Sequence, residues 1–573
     1  MRAALLLVFL VLAACRAAGE ARSAAAPTHV VLILTDDQGY GDYGSMGNAA
    51  LDTPNLDRLA ARAARIERFY VNPVCSATRA SLLTGRYAYR TRVVDTWRGR
   101  SMMDPDEVTL AEILRERGYR TGIFGKWHLG DNYPLRPRDQ GFDECLVHRG
   151  GGLAQLSDPL ENARRYTNPI LVHNGVETAT RGYCTDVYFD AALAFIDDAV
   201  DSGRPFFTYI APNAPHNPLH DVPPELLAKY RSRDLSAVAR DGADVDRVAR
   251  VYAMIDNIDQ NVGRLLEHLE RRGLTERTLV VFLGDNGPTP GRYVAGLRGH
   301  KTSVYEGGIR TPLFLTQGER YRDQALARSV GAHIDLLPTI LGRLGVERPE
   351  GVALDGRDLF EAAAPSALVL QSHRGDVPVA EHQFAVLRRH HKLLRASGFG
   401  REQPSAEAPF ELYDLRADPG EKHNLATEEP ELVATLLTEY RRWFADVSAT
   451  RPDNYAPPRI VLDAAAEPRC LLTRQDWRAV PNGGGTGDGM WQLRVPSAQA
   501  RTVTLLFRKP RRVERVVIEL GERQRLERPG GAAATGALDL GRLTLRRGDL
   551  DLRIRVHGPD GEAAPYQVVL DVE

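Results

Sequence analysis

The chain has 573 residues, 43% hydrophobic and 26% charged, with a formal net charge of −1. That length exceeds what one small core needs, so more than one domain is expected, and the composition is that of a globular protein. The near-zero charge, with no Lys/Arg run interleaved with aromatics, excludes nucleic-acid binding by bulk electrostatics.

In chain order, a short basic start (Met1, Arg2) leads into ALLLVFLVLAA, a run too short to span a bilayer but of the length of a signal-peptide core. It ends in LAAC, which resembles a lipoprotein cleavage box with Cys15 as the lipidated residue; cleavage near the alanines at 24–26 is the alternative. Either reading makes residues 1–26 a signal segment and predicts an exported protein: periplasmic, outer-membrane-anchored or at the cell surface. A membrane is then met only through the lipid anchor. Four further cysteines, Cys75, Cys145, Cys184 and Cys470, would face an oxidising compartment, with Cys145–Cys184 the nearest guess for a disulfide.

Four apolar, β-branched runs predict buried strands: HVVLILT from His29, RTGIFG from Arg120, FFTYIA from Phe206 and TLVVFLG from Thr278. Amphipathic helical patterns separate them, notably LDRLAARAARI, TLAEILRERG, YFDAALAFIDDAV and VARVYAMIDNIDQNVGRLLEHLERRG. This alternation predicts an α/β domain over 27–365 with a mainly parallel sheet flanked by helices. Short runs separated by polar turns then predict a small antiparallel subdomain with a closing helix over 366–448. A Pro-rich linker follows at 449–458, and an all-β accessory domain, a sandwich in its pattern, over 459–573.

Each strand of the first domain runs into chemistry-bearing residues. The first is followed by Asp36 and Asp37, the second by Lys126 and His128, the third by PNAPHNP with His216, and the fourth by Asp285 and Asn286. Ligands of open α/β sheets bind at the carboxyl ends of strands, so these residues are expected at one edge. Capping explains any single case and explains four together poorly. Asp36, Asp37, Asp285 and Asn286 form an oxygen-only set that selects Ca²⁺ or Mg²⁺ over zinc. Lys126, His128, His216 and Lys301, converging near such a cation, point to an anionic substrate group. Cys75 opens what reads as a helix, CSATRASLLT, with Arg79 one turn on the same face. A buried small hydrophobe, half of a disulfide and a chemical role are all open to it, although Ser, Ala, Thr and Arg neighbours make a poor apolar wall.

CSATR followed by LTGR resembles the signature of formylglycine-dependent (type I, arylsulfatase-like) sulfatases of the alkaline phosphatase superfamily. The resemblance extends in order through TDDQGYGDYG, TPNLDRLA, GKWHLG, APHNP, GDNG, KTSVYEGGIRTP and ELYDLRADPGEKHNLA, over roughly residues 28–445. Ala77 departs from the commoner proline. The resemblance implies an alkaline-phosphatase-like sheet, and Ca²⁺ or Mg²⁺ held by Asp36, Asp37, Asp285, Asn286 and residue 75. It further implies that a formylglycine-generating enzyme oxidises Cys75, and that Arg79, Lys126, His128, His216 and Lys301 surround the sulfate. One hydroxyl of the hydrated aldehyde would attack sulfur, Lys301 and His216 would serve the leaving alkoxide, and His128 would take a proton from the second hydroxyl.

For the substrate, the Gly-rich loop HRGGGLAQLSD with Gln155, and Arg298 and His300 beside Lys301, are candidate contacts. A sulfated carbohydrate is the expected partner, by analogy from an exported sulfatase with a β domain. The competing readings are a formylglycine-dependent phosphodiesterase or phosphonate monoester hydrolase, and an inert glycan-binding lipoprotein.

Overall fold

The computed structural model describes residues 28–572, apart from 164, 363–366, 452, 454, 480–487, 523 and 534–535. The signal segment with Cys15, and the expected boundary at 365–366, lie outside these residues. Eight strands form the main sheet: β1 His29–Thr35, β2 Arg120–Lys126, β3 Glu144–His148, β4 Ile170–His173, β5 Val176–Ala179, β6 Phe206–Ala211, β7 Thr278–Gly284 and β8 Phe314–Thr316. Their spatial order is β5-β4-β3-β2-β6-β1-β7-β8. The five strands from β3 to β7 in that order run parallel, and antiparallel strands close both edges.

The continuous apolar runs follow from burial on both faces. Val31 and Ile33 of β1 point into one core with the helices Cys184–Asp201 and Val245–Arg271. Val30, Leu32 and Leu34 point into the other, with Cys75–Thr84, Leu110–Glu116 and Leu336–Leu344. Each such aliphatic side chain contributes about 1.5–3 kcal/mol on full burial. The same alternation rules out the expected disulfide. Cys145 and Cys184 are both free thiols, and they belong to the cores on opposite faces of the sheet.

Strands Leu368–Gln371, Phe384–Arg388, His391–Arg395 and Glu411–Asp414 form an antiparallel meander in that order. The helix Pro430–Ser448 covers it, with the Tyr440 ring stacked 3.8 Å from that of Phe384. Beyond it, two further sheets enclose one core, with Leu493, Ile554 and Val556 from one sheet and Val503, Val568 and Leu570 from the other. Met102 and Leu135 of the first domain are members of that same core. The β domain is therefore packed onto the α/β domain through shared apolar side chains. Among the described residues no helix is long and apolar enough to cross a membrane.

Candidate active site

Strands β2, β6, β1 and β7 are neighbours in space, so their carboxyl ends deliver Lys126 and His128, His216, Asp36 and Asp37, and Asp285 and Asn286 to one place. The chain turns sharply as it leaves two of them: Asp37 and His128 adopt left-handed backbone with φ of 66° and 62°. Asp and His are among the residues that tolerate this conformation. At the end of β2 only glycine fits, because a Cβ on Gly125 would lie 2.0 Å from the Ala211 carbonyl oxygen of β6.

The helix Cys75–Thr84 points its first residue at these strand ends, and all ten of its residues are buried. Cys75 Sγ lies 3.4 Å from His128 Nδ1, and sulfur and carboxylate oxygens of Cys75, Asp36 and Asp285 lie within 4.8 Å of one another. One turn on, Arg79 donates Nη2 to Asp285 Oδ2 at 2.8 Å and Nη1 to the Lys126 carbonyl at 2.9 Å. Lys126 Nζ donates to Asp36 Oδ2 at 2.7 Å, and Lys301 Nζ pairs with Asp37 Oδ1 at 2.5 Å. Asn286 Nδ2 donates to Asp37 Oδ1 at 2.8 Å. His216 Nε2 stands 4.0 Å from Asp37 Oδ2.

Three carboxylates thus face three cations in a buried, charge-balanced cluster. Burial alone would raise Asp36, but the Lys126 ammonium outweighs it, with Lys301 and Arg79, and holds the carboxyl well below the usual range. Asp37 is lowered in the same way, by Lys301 against burial. Asp285 is pushed up to about 6 by burial and the Asp36 charge, against Arg79 and Lys126. Burial and the Lys126 charge hold His128 far below its ordinary value and therefore neutral. Burial likewise raises the Cys75 thiol. Lys301 is raised, the carboxylates of Asp37 and Asp36 outweighing burial.

The donor set fits a divalent cation. Asp36 Oδ1, Asp37 Oδ2 and Asn286 Oδ1 are buried oxygens with no hydrogen-bond partner, and oxygen-only sites suit Ca²⁺ or Mg²⁺. The lysines take the other oxygens of Asp36 and Asp37, so each of these two keeps one edge free, whereas Asp285 accepts from the Asp37 N–H and from Arg79.

A cavity of about 370 Å³ opens onto Cys75, His128, His216 and Lys301, and Gln155 of the Gly-rich loop lines it. Arg298 and His300 do not join it. The Arg298 guanidinium lies 3.8 Å above the Tyr305 ring and donates to Tyr413 Oη at 2.9 Å, turned toward the antiparallel sheet. His300 donates Nδ1–H to the Lys301 carbonyl and lines a separate cavity with Arg240 and Tyr293. Both lie in the turn carrying Lys301, and adjacency in sequence did not carry them to the same wall. Sequence reading missed Thr96, Arg374 and Gln475, and reached Gly151 only as part of the Gly-rich loop. The Thr96 carbonyl accepts His128 Nε2–H at 2.8 Å, and a Cβ on Gly151 would lie 2.5 Å from the His128 ring. Arg374 and Gln475 reach the cavity from the antiparallel subdomain and the β domain. Only Gly151 had a local signal, the glycine run.

The Sulfatase family profile matches residues 28–346, more than half of the chain. The chain belongs to the sulfatase family. It is 33% identical to N-acetylgalactosamine-6-sulfatase of Canis lupus familiaris over 393 residues, covering 63% of this chain and 71% of that protein. To arylsulfatase A of Homo sapiens it is 32% identical over 468 residues, covering 72% and 87%. Among solved structures it resembles Ps i-CgsB in complex with k-i-k-neocarrahexaose, with a TM-score of 0.62 and 27% identity over 73% of this chain and 93% of that one. This sulfatase is a sulfuric ester hydrolase built on the alkaline-phosphatase-like sheet.

Proposed function

We propose that this sulfatase removes sulfate from a sulfated carbohydrate. It would use residue 75 after oxidation to formylglycine, beside a Ca²⁺ or Mg²⁺ ion held by Asp36, Asp37, Asp285 and Asn286. The observation that carries the proposal is the setting of Cys75. It opens a buried helix against a neutral histidine, two lysines and carboxylates, where a packing cysteine would need apolar neighbours.

An ion held by Asp36, Asp37, Asp285 and Asn286 would add positive charge against the sulfate and would lower the pKa of the hydrated aldehyde's hydroxyl. The chain's own residues do the rest. Arg79 fixes Asp285, and Lys126 and Lys301 bring positive charge to the site that receives the anionic ester. His128 gives its Nε2–H to the Thr96 carbonyl, so the Nδ1 lone pair faces residue 75 and accepts a proton from it. His216 gives Nδ1–H to the Asn217 carbonyl at 2.8 Å, which leaves neutral Nε2 without a proton. Lys301, kept protonated by Asp37, is therefore the proton-bearing group on the leaving side.

The carbohydrate assignment draws support from the relatives, one named for N-acetylgalactosamine-6-sulfate and one solved with a neocarrahexaose. The leader at 1–26 supports an exported enzyme, and the CSATR segment supports a maturation partner that oxidises Cys75. The test is mass spectrometry of the tryptic peptide FYVNPVCSATR from active enzyme, with sulfate release from defined sulfated mono- and oligosaccharides. Full activity with only unmodified cysteine would sink the formylglycine reading. Turnover of aryl sulfates with none of the saccharides would sink the carbohydrate reading.

A further inference from the structure

Gln475 follows the strand Arg469–Thr473 of the β domain, 347 residues from His128, and is 3% exposed. Its Nε2 donates to the Thr96 carbonyl at 2.8 Å and to Ser101 Oγ at 3.2 Å. Its own carbonyl accepts the Gly99 N–H at 2.9 Å. One side chain and its backbone thus staple the irregular segment 96–101 at three points. The Thr96 carbonyl is the same one that takes His128 Nε2–H. Gln475 Nε2 and His128 Nε2 stand 3.3 Å apart; both carry protons, so they do not bond each other and instead share the two lone pairs of that oxygen. From the antiparallel subdomain, Arg374 Nη1 reaches Thr96 Oγ1 at 3.3 Å and Asp95 Oδ1 at 2.7 Å.

The β domain also holds the opposite wall. The single Tyr566 Oη proton is shared between the carbonyls of Gln155 and Asp158, at 2.9 and 3.1 Å, tying down the loop whose Gly151 abuts the His128 ring. His128 is therefore fixed on two sides by parts whose anchors lie in the C-terminal domain.

We infer that Gln475 is a positioning residue of this sulfatase. It holds the Thr96 carbonyl so that His128 keeps its Nε2–H there and its Nδ1 lone pair on residue 75. The β domain thereby completes a site whose reacting groups all lie in the α/β domain. The inference rests on the reading of His128 as the group that acts on residue 75. A carbonyl that orients a histidine through its second nitrogen belongs to the supporting layer whose loss costs about 10–100-fold.

The experiment is a double-mutant cycle in the full-length chain with 4-nitrophenyl sulfate, rates being normalised to the formylglycine content of each protein. Gln475→Met keeps length and volume and removes the N–H donors. It is expected to lower kcat about 10–100-fold with KM within about 2-fold; the lost buried hydrogen bonds also lower stability, so rates are read well below each variant's melting temperature. In a His128→Ala background it is expected to cost nothing further, because its effect travels through His128. Equal fold-losses in both backgrounds, or a single variant within about 2-fold of wild-type kcat, overturn the inference. If the His128→Ala rate lies below detection, the kcat loss at unchanged KM, in protein shown to be folded at the assay temperature, decides. If Gln475→Met does not fold, Gln475→Ala, which removes the donors and offers His128 no new acceptor, is read in the same way. A His128→Ala variant at wild-type rate refutes the role given to His128 itself and the inference with it, whereas failure of Gln475→Met alone leaves that role standing.

Discussion

Removing and restoring divalent cation should move the stability of this sulfatase, because three buried acceptor oxygens at the strand ends have no hydrogen-bond partner among the described residues. Asp36 Oδ1, Asp37 Oδ2 and Asn286 Oδ1 are unpartnered in side chains that are fully buried, and each such acceptor costs about 1–3 kcal/mol. Lys126 and Lys301 already neutralise the other oxygens of the two aspartates, so an ion can enter at the free edges without displacing a lysine. At a concentration near 100 times its Kd it would stabilise the fold by about 2.7 kcal/mol. For a unit the size of residues 28–346, an unfolding entropy of about 2.1 cal/mol/K per residue converts this into about 4 °C. Thermal melts of EDTA-treated protein titrated with CaCl₂ or MgCl₂ are expected to show a saturable rise of that order, absent in Asp37→Asn. No rise with either ion, or the same rise in Asp37→Asn, would refute the reasoning.

Gly151→Ala needs no unusual backbone, but its Cβ falls 2.5 Å from His128 Cε1 and Nε2 and 2.7 Å from Gln155 Oε1. A displaced histidine should lower kcat at least about tenfold while the melting temperature stays near wild type. Arg79→Met strands the Asp285 carboxylate, since both partners of the pair are fully buried, and urea unfolding should show a loss of about 3–5 kcal/mol. His333 is held neutral, accepting from Asn72 Nδ2 at 2.9 Å and donating Nδ1–H to the Tyr70 carbonyl, and burial lowers its pKa to about 4. The unfolded chain therefore binds the extra proton between pH 6.5 and 4, and stability falls as pH drops through that window. The loss attributable to this group should reach about 2 kcal/mol at pH 5, and His333→Gln should flatten the urea-midpoint profile by that amount.

Much of this architecture was legible because its signals are local. The four buried runs became β1, β2, β6 and β7 nearly residue for residue, since an apolar β-branched stretch with no polar interruption has few other solutions. The residues after them converge because a parallel sheet puts its carboxyl ends on one edge. Cys75 and Arg79 read as one helix face for the same reason, a spacing of four. Other contributions left no such trace. Gln475 sits in a polar turn that resembles any other, and its role arises from docking of the β domain through Met102 and Leu135. Arg298 and His300 lie beside Lys301 in sequence, yet the left-handed turn at Thr302 lies in a loop whose side-chain directions no periodicity encodes. The strand Gln524–Pro529, charged and half-exposed, lacks the apolar alternation that marks its neighbours.

The burial of the helix that Cys75 opens has a consequence in time. With the thiol 3% exposed and every residue through Thr84 covered, no second protein can close around this segment once the chain has folded. On the formylglycine reading proposed above, oxidation of Cys75 would therefore compete with folding for the same nascent molecules, and its outcome would be fixed for the lifetime of each. A host short of the oxidising partner would accumulate well-folded, stable, inert protein that later supply of that partner could not rescue. Specific activity of a preparation would record the partner's capacity during synthesis, and stability measurements would be blind to it.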